Sequence, residues 1–300
     1  MNLNNAYSIT GKKIFVAGHT GLLGSAICRQ LVNEDVKILS VKHSELDLTD
    51  QSKVIQWMDY NRPDVVINAA GKVGGIYANN AYPAEFIYQN LAIAQNLIHS
   101  AHLYNVEKFI MLGSSCSYPS MVSQPIHESS LMDGKPEETN QWYTVAKIAG
   151  IKLCEAYRRQ YGRDYISILP ANLYGPGDNY DSKNSHVIPS LIKRFHNAKI
   201  LKNLNEVIWG SGNPQREFMY VDDASDAIIF LLKNYSSNDI INIGTGEKIT
   251  IKNLAQELSS IVGFSGDLIF DDSKADGSPI KVLDVSKLHA LGWHHKTGLS

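Results

Sequence analysis

The stretch KKIFVAGHTGLLGSAICRQLVNE, residues 12–34, decides the fold that this sequence predicts. Its first part, KKIFVAG, is a short apolar run rich in β-branched and aromatic residues, which is typical of a buried strand. Its second part, GLLGSAICRQLVNE, spaces apolar residues as an amphipathic helix does. Between them, Gly18, Gly21 and Gly24 form a G-x-x-G-x-x-G loop. Glycines also serve ordinary turns, but a glycine loop between the first strand and the first helix favours binding of a dinucleotide pyrophosphate.

The rest of the chain continues this alternation of strands and helices. VKILSVK, DVVINAAG, KFIMLGSS and YISILPANLYG read as strands, and QSKVIQWMDYN, PAEFIYQNLAIAQNLIHSAHLYN and YTVAKIAGIKLCEAYRRQYG read as helices. Strands separated by helices predict an α/β fold with a doubly wound parallel sheet. We expect a dinucleotide-binding Rossmann domain over residues 1–175. Residues 176–300 should form mainly a smaller α+β substrate-binding lobe, with some segments returning to the sheet.

Composition excludes several classes of function. The 300 residues are 44% hydrophobic and 19% charged, with a formal net charge of -2, so neither nucleic acid nor an anionic membrane is an expected partner. No apolar run approaches a membrane span, and the polar N-terminus passes directly into a strand without a signal peptide pattern. Cys28, Cys116 and Cys154 form no CxxC pair, which favours a reducing compartment without disulfides or a structural metal. We therefore expect a cytoplasmic enzyme or binding protein.

The second strand bears on the choice between NAD and NADP. Sites that prefer NAD place a carboxylate there for the ribose 2′-hydroxyl, whereas this chain carries Lys42 and His43. Two basic residues near a 2′-phosphate favour NADP. If Lys42 is only a solvated strand end, the choice stays open. Asp47 and Leu48 follow in a position suited to flank an adenine.

Tyr143 and Lys147 form a Y-x-x-x-K pair near the start of a predicted helix. A spacing of four puts both side chains on one helical face, where an ammonium can lower the phenol pKa from its ordinary value of about 10 and bond a nicotinamide ribose. Tyr–Lys pairs at this spacing are also common on exposed helix faces, where they have no catalytic role. Ser114 and Ser115 lie at the end of the strand KFIML, and ligands bind at such strand ends in open α/β sheets. The presence of these serines and of the glycine loop favours a catalytic role for the Tyr–Lys pair.

These three motifs together resemble the extended short-chain dehydrogenase/reductases that act on nucleotide sugars. The longer segments AAGKVGGIYANNAYPAEFIYQN, LGSSCSYP, NLYGPGDN, SHVIPSLIKRFH and WGSGNPQREFMYVDD are similar to the GDP-L-fucose synthase branch of that family, and the resemblance runs from about residue 13 to residue 293. It implies an NADP-dependent homodimer that epimerises GDP-4-keto-6-deoxy-D-mannose at C3 and C5 and reduces it at C4. The dimer would pack the helices around 83–105 and 143–161.

The resemblance also implies roles for individual residues. Cys116 and His186 would be the acid–base pair of epimerisation, and Tyr143 would protonate the C4 oxygen, which Ser114 holds. Backbone at Val73, Gly74 and Gly75 would approach the sugar. The GDP-sugar contacts would be Arg194, Trp209, Arg216, Asp276 and Lys281. Further contacts to the cofactor would be Gly18, His19, Thr20, Gly21, Leu22, Leu23, Gly24, Leu112, Gly113, Ser114, Ser115, Lys147, Pro170, Ala171, Asn172, Leu173 and His186.

The sequence departs from the family at two places. Some members carry arginine where this chain has Thr20 and His43, so NAD stays an alternative to NADP. The sequence LGWHHKTGLS stops where relatives continue into another helix, and we expect apolar surface to be exposed on the small lobe as a result. Two other functions remain open: a reductase of another GDP-4-keto sugar, such as a 6-deoxy-heptose, and an NADP-sensing regulator without turnover.

Overall fold

The computed structural model describes residues 6–181, 185–274 and 276–299. Within them, the strands are Lys13–Ala17 (β1), Lys37–Leu39 (β2), Val65–Asn68 (β3), Lys108–Leu112 (β4), Asp164–Pro170 (β5), Asn172–Tyr174 (β6), Asn205–Trp209 (β7), Gln215–Arg216 (β8), Phe218–Tyr220 (β9), Ile241–Ile243 (β10), Ile249–Thr250 (β11), Asp267–Asp271 (β12) and Ile280–Lys281 (β13). The helices are Leu22–Leu31 (α1), Gln51–Asn61 (α2), Ile76–Ala81 (α3), Pro83–Leu103 (α4), Gln141–Tyr161 (α5), Val187–Ile200 (α6), Val221–Asn234 (α7), Ile251–Val262 (α8) and Ser286–Ala290 (α9).

Six strands form the main sheet in the order β10-β5-β4-β3-β1-β2, and every neighbouring pair is parallel. All residues of β3 and β4 are buried, as parallel strands covered on both faces require. Helix α1 packs against α7, and α4 packs against α2 and α5. This confirms the predicted doubly wound α/β fold. The strand order reverses between β1 and β3, so the crevice that binds ligands in such sheets opens there.

The predicted strand YISILPANLYG is instead two strands, β5 and β6. The pairing of β5 with β10 extends to Pro170, and the N–H of Ala171 still donates to the carbonyl of Ile243 at 2.9 Å. Strand β6 then pairs in parallel with β9 in a separate two-stranded sheet. The predicted strand VKILSVK is also shorter than expected, because only Lys37–Leu39 pairs with β1.

The C-terminal part of the chain contributes to two hydrophobic cores, the main core around the six-stranded sheet and a smaller second core. In the second core, residues of α6 and α8 pack against the parallel pair β7 and β12. The rings of Phe195 and Phe264 stack there with their centres 5.8 Å apart. By contrast, α7 and β10 belong to the main core, in which Leu231 and Ile241 are fully buried. Strand β8 lies between β11 and β13. No helix in the described part of the chain is long and apolar enough to cross a membrane.

Candidate active site

The glycine loop after β1 leaves no room for a side chain at Gly18 or Gly24. Gly18 has φ +83°, which favours glycine, and a Cβ there would lie 2.7 Å from the backbone of Ala70 at the end of β3. A Cβ at Gly24 would overlap the carbonyl oxygen of Gly18. Helix α1 begins at Leu22, directly after this turn. The close approach of backbone and the free N–H groups of the first helical turn fit the pyrophosphate of a dinucleotide.

The other predicted contacts in this loop lie around the same turn. His19 is half-buried and Thr20 is exposed, so Thr20 is the more accessible of the two. Leu22 and Leu23 are half-buried in the first turn of α1, and Leu23 packs against the main core. These four residues therefore surround the backbone donors of the loop.

The segment after β2 exposes two basic side chains. Lys42 and His43 are both exposed in the loop that follows this strand. Nearby, the carboxylate of Asp47 accepts hydrogen bonds from the N–H and the hydroxyl of Thr49 at 2.9 and 2.8 Å, and these bonds lower the pKa of Asp47. Leu48 packs against the main core. Hydrogen bonds within the loop thus stabilise it, and the side chains of Lys42 and His43 remain exposed to solvent.

Tyr143 and Lys147 lie near the start of α5, beside the end of β4. Nζ of Lys147 donates to the carbonyl of Leu112 at 2.9 Å and lies 5.6 Å from the centre of the Tyr143 ring. Burial lowers the pKa of Lys147 to about 8. Burial also raises the pKa of Tyr143, with a further contribution from the charge of Cys116. The pKa of Tyr143 is thus raised overall in this structure, because desolvation of its hydroxyl dominates.

Cys116 shares the end of β4 with this pair. Ser115–Ser117 form a 3₁₀ turn, and the Oγ of Ser114 accepts a hydrogen bond from the N–H of Cys116 at 3.2 Å. A side-chain hydrogen bond also joins Ser114 to the Tyr143 hydroxyl. The structure thus brings Ser114, Cys116, Tyr143 and Lys147 into one cluster, as the sequence predicts.

The backbone on either side of this cluster is buried. A Cβ at Gly113 would lie 3.1 Å from side-chain atoms of Ile151 and Leu169, so the chain passes close beneath the cluster. Pro170 and Ala171 are buried at the end of β5, next along the sheet. Nδ2 of Asn172 donates to the carbonyl of Glu217 at 2.9 Å, whereas Leu173 packs against the main core.

The loop at residues 71–75 lies between the cluster and the start of α6. A Cβ at Gly71 would lie 3.6 Å from Nζ of Lys147, and a Cβ at Gly75 would lie 3.0 Å from the carbonyl oxygen of Ser185. His186 follows at the N-terminal cap of α6, where its side chain is exposed and makes no capping bond. The loop therefore contacts the Tyr–Lys pair at one end and the segment that carries His186 at the other.

Arg216 supplies positive charge on the side of the small lobe. Its Nη1 donates to the carbonyl of Ser278 at 2.7 Å. Burial lowers its pKa, and the negative groups of Glu137, Cys116 and Asp276 oppose that effect. A guanidinium half-buried among these groups is a suitable ligand for a diphosphate. The Cys116 side chain is near enough to Arg216 to raise its pKa, so Arg216 lies on the side of the small lobe that faces the cluster.

Two other predicted substrate contacts, Lys281 and Asp276, lie near Arg216, and a third, Trp209, lies at the end of β7. Lys281 pairs in register with Arg216 across β13 and β8. Asp276 accepts hydrogen bonds from the N–H and the hydroxyl of Ser211, each at 2.7 Å, which lowers the pKa of Asp276. Trp209 is 72% exposed, and Nζ of Lys274 lies 6.0 Å from its ring centre. An exposed indole of this kind can stack on a base.

Arg194 is engaged within its own lobe. Its guanidinium forms an ion pair with Glu206 at 2.5 Å and also donates to the carbonyl of Val207. These bonds hold the group against β7, so a diphosphate would have to share Arg194 with Glu206.

Sequence reasoning missed three residues of this region: Glu137, Thr144 and Glu217. The Glu217 carboxylate accepts from the N–H groups of Thr245, Gly246 and Leu283 at 2.6 to 2.8 Å, and so fastens the strand that carries Arg216. A charged residue inside the run REFMY was a usable signal, since a buried carboxylate needs donors. Glu137 and Thr144 carried no such signal.

The parallel sheet, the glycine loop and the adjacent Tyr–Lys pair define an extended short-chain dehydrogenase/reductase. A model of the NAD dependent epimerase/dehydratase family matches residues 14–244, and the chain belongs to that family. It is 51% identical over 294 residues to a GDP-L-fucose synthase of Sinorhizobium fredii, covering 98% of this chain and 93% of that protein.

Two solved structures are similar over nearly the whole chain. One is a GDP-6-OMe-4-keto-L-xylo-heptose reductase of Campylobacter jejuni, with a TM-score of 0.92, 34% identity and coverage of 98% and 96% of the two chains. The other is a GDP-L-fucose synthetase of Naegleria fowleri bound to NADP, with a TM-score of 0.90, 27% identity and coverage of 98% and 92%.

Proposed function

We propose that this protein converts GDP-4-keto-6-deoxy-D-mannose to GDP-L-fucose by 3,5-epimerisation and NADPH-dependent 4-reduction. The observation that carries the proposal is the hydrogen-bonded cluster of Ser114, Cys116 and Tyr143 beside Lys147. It joins a proton donor for reduction to a thiol suited to removing a proton next to a ketone. Similarity to the GDP-L-fucose synthase of Sinorhizobium fredii supports the choice of sugar.

NADP(H) is the proposed cofactor. The glycine loop would hold the pyrophosphate, Lys42 and His43 the 2′-phosphate, and Lys147 the nicotinamide ribose. The structural neighbour from Naegleria fowleri, which binds NADP, supports this choice over NAD. When bound, NADPH supplies a hydride to C4 of the sugar.

In the reduction, Tyr143 donates a proton to the C4 oxygen. Because its pKa is raised, the phenol is protonated at neutral pH, which is the form that a proton donor needs. An alkoxide is more basic than a phenolate, so the transfer is favourable despite the raised pKa. Ser114 bonds the same oxygen, and the Lys147 ammonium stabilises the phenolate that remains.

In the epimerisation, Cys116 and His186 exchange protons with C3 and C5. A hydrogen next to a ketone is acidic when the developing enolate oxygen is stabilised, and Ser114 and Tyr143 are placed to donate to it. One residue removes the proton from one face and the other returns a proton from the opposite face. Arg216 and Lys281 hold the diphosphate meanwhile.

We also propose which part of the chain binds each ligand, and that the protein is a homodimer. Residues 1–175 bind the dinucleotide and residues 176–300 mainly the GDP-sugar. Two copies pair through α4 and α5, which present exposed Tyr88 and Val145. A single species of monomer mass in sedimentation at micromolar concentration would contradict the homodimer.

The decisive assay is product analysis in D₂O with GDP-4-keto-6-deoxy-D-mannose and NADPH. The proposal predicts oxidation of NADPH together with deuterium at C3 and C5 of the product. Oxidation without deuterium would indicate a pure reductase of another GDP-4-keto sugar, such as a 6-deoxy-heptose, which the similarity to the Campylobacter jejuni enzyme makes the second candidate. Binding of NADPH without any oxidation would indicate a sensing regulator.

A further inference from the structure

We propose that Thr144 is a positioning residue that fixes Cys116 for proton transfer and thereby supports epimerisation more than hydride transfer. The inference rests on the proposed function and adds to it a residue at a variable position within the Y-x-x-x-K motif. Thr144 follows Tyr143 on α5, and its side chain is fully buried.

The hydroxyl of Thr144 reaches the backbone of the reactive turn. Its Oγ1 lies 3.0 Å from the carbonyl oxygen of Cys116 and 3.1 Å from Oδ1 of Asn140. A hydroxyl carries one proton, so it donates to one acceptor at a time. The Cys116 carbonyl and the Asn140 amide oxygen therefore share the Thr144 proton, and the contact to Cys116 is the shorter of the two. Through this contact Thr144 ties the start of α5 to the turn.

The turn is held at both ends of the cysteine. The N–H of Cys116 donates to Ser114, which also bonds Tyr143, so this first link serves the reduction as well. The carbonyl of Cys116 accepts the hydrogen bond from Thr144. This second hydrogen bond involves neither the Tyr143 hydroxyl nor the Lys147 ammonium. Removing the Thr144 hydroxyl should loosen the thiol while leaving the proton donor of the reduction in place.

The position of the thiol matters because proton transfer from carbon needs a close, aligned base. A displacement of about 1 Å in such a group lowers a rate by up to roughly a hundredfold. Valine fills nearly the volume of threonine but cannot donate, so Thr144→Val leaves the Cys116 carbonyl without this partner. Thr144→Ser keeps the hydroxyl and loses only a methyl group.

The experiment compares two partial reactions of wild type, Thr144→Val and Thr144→Ser. The first is deuterium exchange at C3 and C5 of GDP-4-keto-6-deoxy-D-mannose in D₂O with NADP⁺ present. The second is the initial rate of NADPH formation from GDP-L-fucose and NADP⁺, in which hydride transfer precedes any epimerisation. Ser225→Ala is the matched control, because Ser225 is a fully buried helical hydroxyl that donates to the Asp222 carbonyl at 2.9 Å on α7.

The proposal predicts that Thr144→Val lowers the exchange rate by about tenfold or more and the hydride rate by no more than about threefold. Thr144→Ser should restore most of the exchange, and Ser225→Ala should not separate the two rates. An equal fall of both rates in Thr144→Val, in step with its thermal midpoint, would show a merely structural role and overturn the proposal. Exchange at the wild-type rate would overturn it too. If wild type itself exchanges no deuterium, the proposed function fails first, and the inference fails with it.

Discussion

Replacing Lys147 by methionine should stabilise the protein at pH 7 while abolishing reduction. Lys147 is 6% exposed, and burial moves its pKa from the ordinary 10.5 to about 8. At about 1.4 kcal/mol per pKa unit, holding the ammonium in the fold costs about 3 kcal/mol at pH 7. Methionine has a similar volume and loses one hydrogen bond, to Leu112, worth about 1 kcal/mol. The net gain is about 2 kcal/mol.

The pH dependence separates this cause from general packing effects. The folded pKa lies below the unfolded one, so the unfolded chain binds more protons between about pH 8 and pH 10.5, and wild-type stability rises there. The penalty is full below pH 8 and falls to about 1.4 kcal/mol at pH 9.5. The advantage of Lys147→Met should therefore nearly vanish at pH 9.5.

Urea unfolding of both proteins at pH 7 and pH 9.5 measures the effect, because contributions of all other groups cancel in the difference. Lys152→Met is the control: Lys152 is exposed on the same helix, and its replacement should give a difference in unfolding free energy that does not change with pH. A Lys147→Met variant that is less stable than wild type at pH 7 would contradict a burial penalty at Lys147. A difference between the two proteins that is the same at both pH values would contradict it as well.

Two further predictions concern the cofactor loop and the base of the small lobe. Gly24→Ala should weaken NADPH binding by at least about tenfold, because the added Cβ would overlap the Gly18 carbonyl oxygen; calorimetric titration measures it, and unchanged affinity would contradict the fit of this loop to a pyrophosphate. Glu217→Gln should lower the unfolding free energy by about 2 kcal/mol, because an amide has one acceptor oxygen for three backbone N–H groups. It should also raise KM for the GDP-sugar through Arg216, and a stable variant with unchanged KM would speak against that link.

The local parts of the site were predictable from sequence because short spacing determines them. The turn at Gly18–Gly24 depends on residues that are close in the chain, and a strand–turn–helix order places it at the carboxyl end of β1. The side chains of Tyr143 and Lys147 share a face because a helix repeats every 3.6 residues. Ser114 and Cys116 follow β4 directly, so their place at the sheet edge follows from the strand itself.

Features that depend on packing between distant segments could not be read in this way. The pKa of Tyr143 is set by burial, which α5 acquires only when it packs on β4. Strand β6 leaves the main sheet because it pairs with β9, which is distant in the sequence. Glu137 and Arg216 are 79 positions apart in the sequence, and no local sequence pattern predicts that they lie close together.

Replacing Cys116 by serine separates the two proton transfers that are proposed for this cluster. The thiol of Cys116 is proposed to remove the sugar protons, and Tyr143 is proposed to protonate the C4 oxygen. We expect Cys116→Ser to exchange deuterium into C3 and C5 at least about a hundredfold more slowly than wild type. The same variant should still reduce NADP⁺ with GDP-L-fucose within about tenfold of the wild-type rate. Exchange at the wild-type rate in folded Cys116→Ser would contradict the role of this thiol in epimerisation.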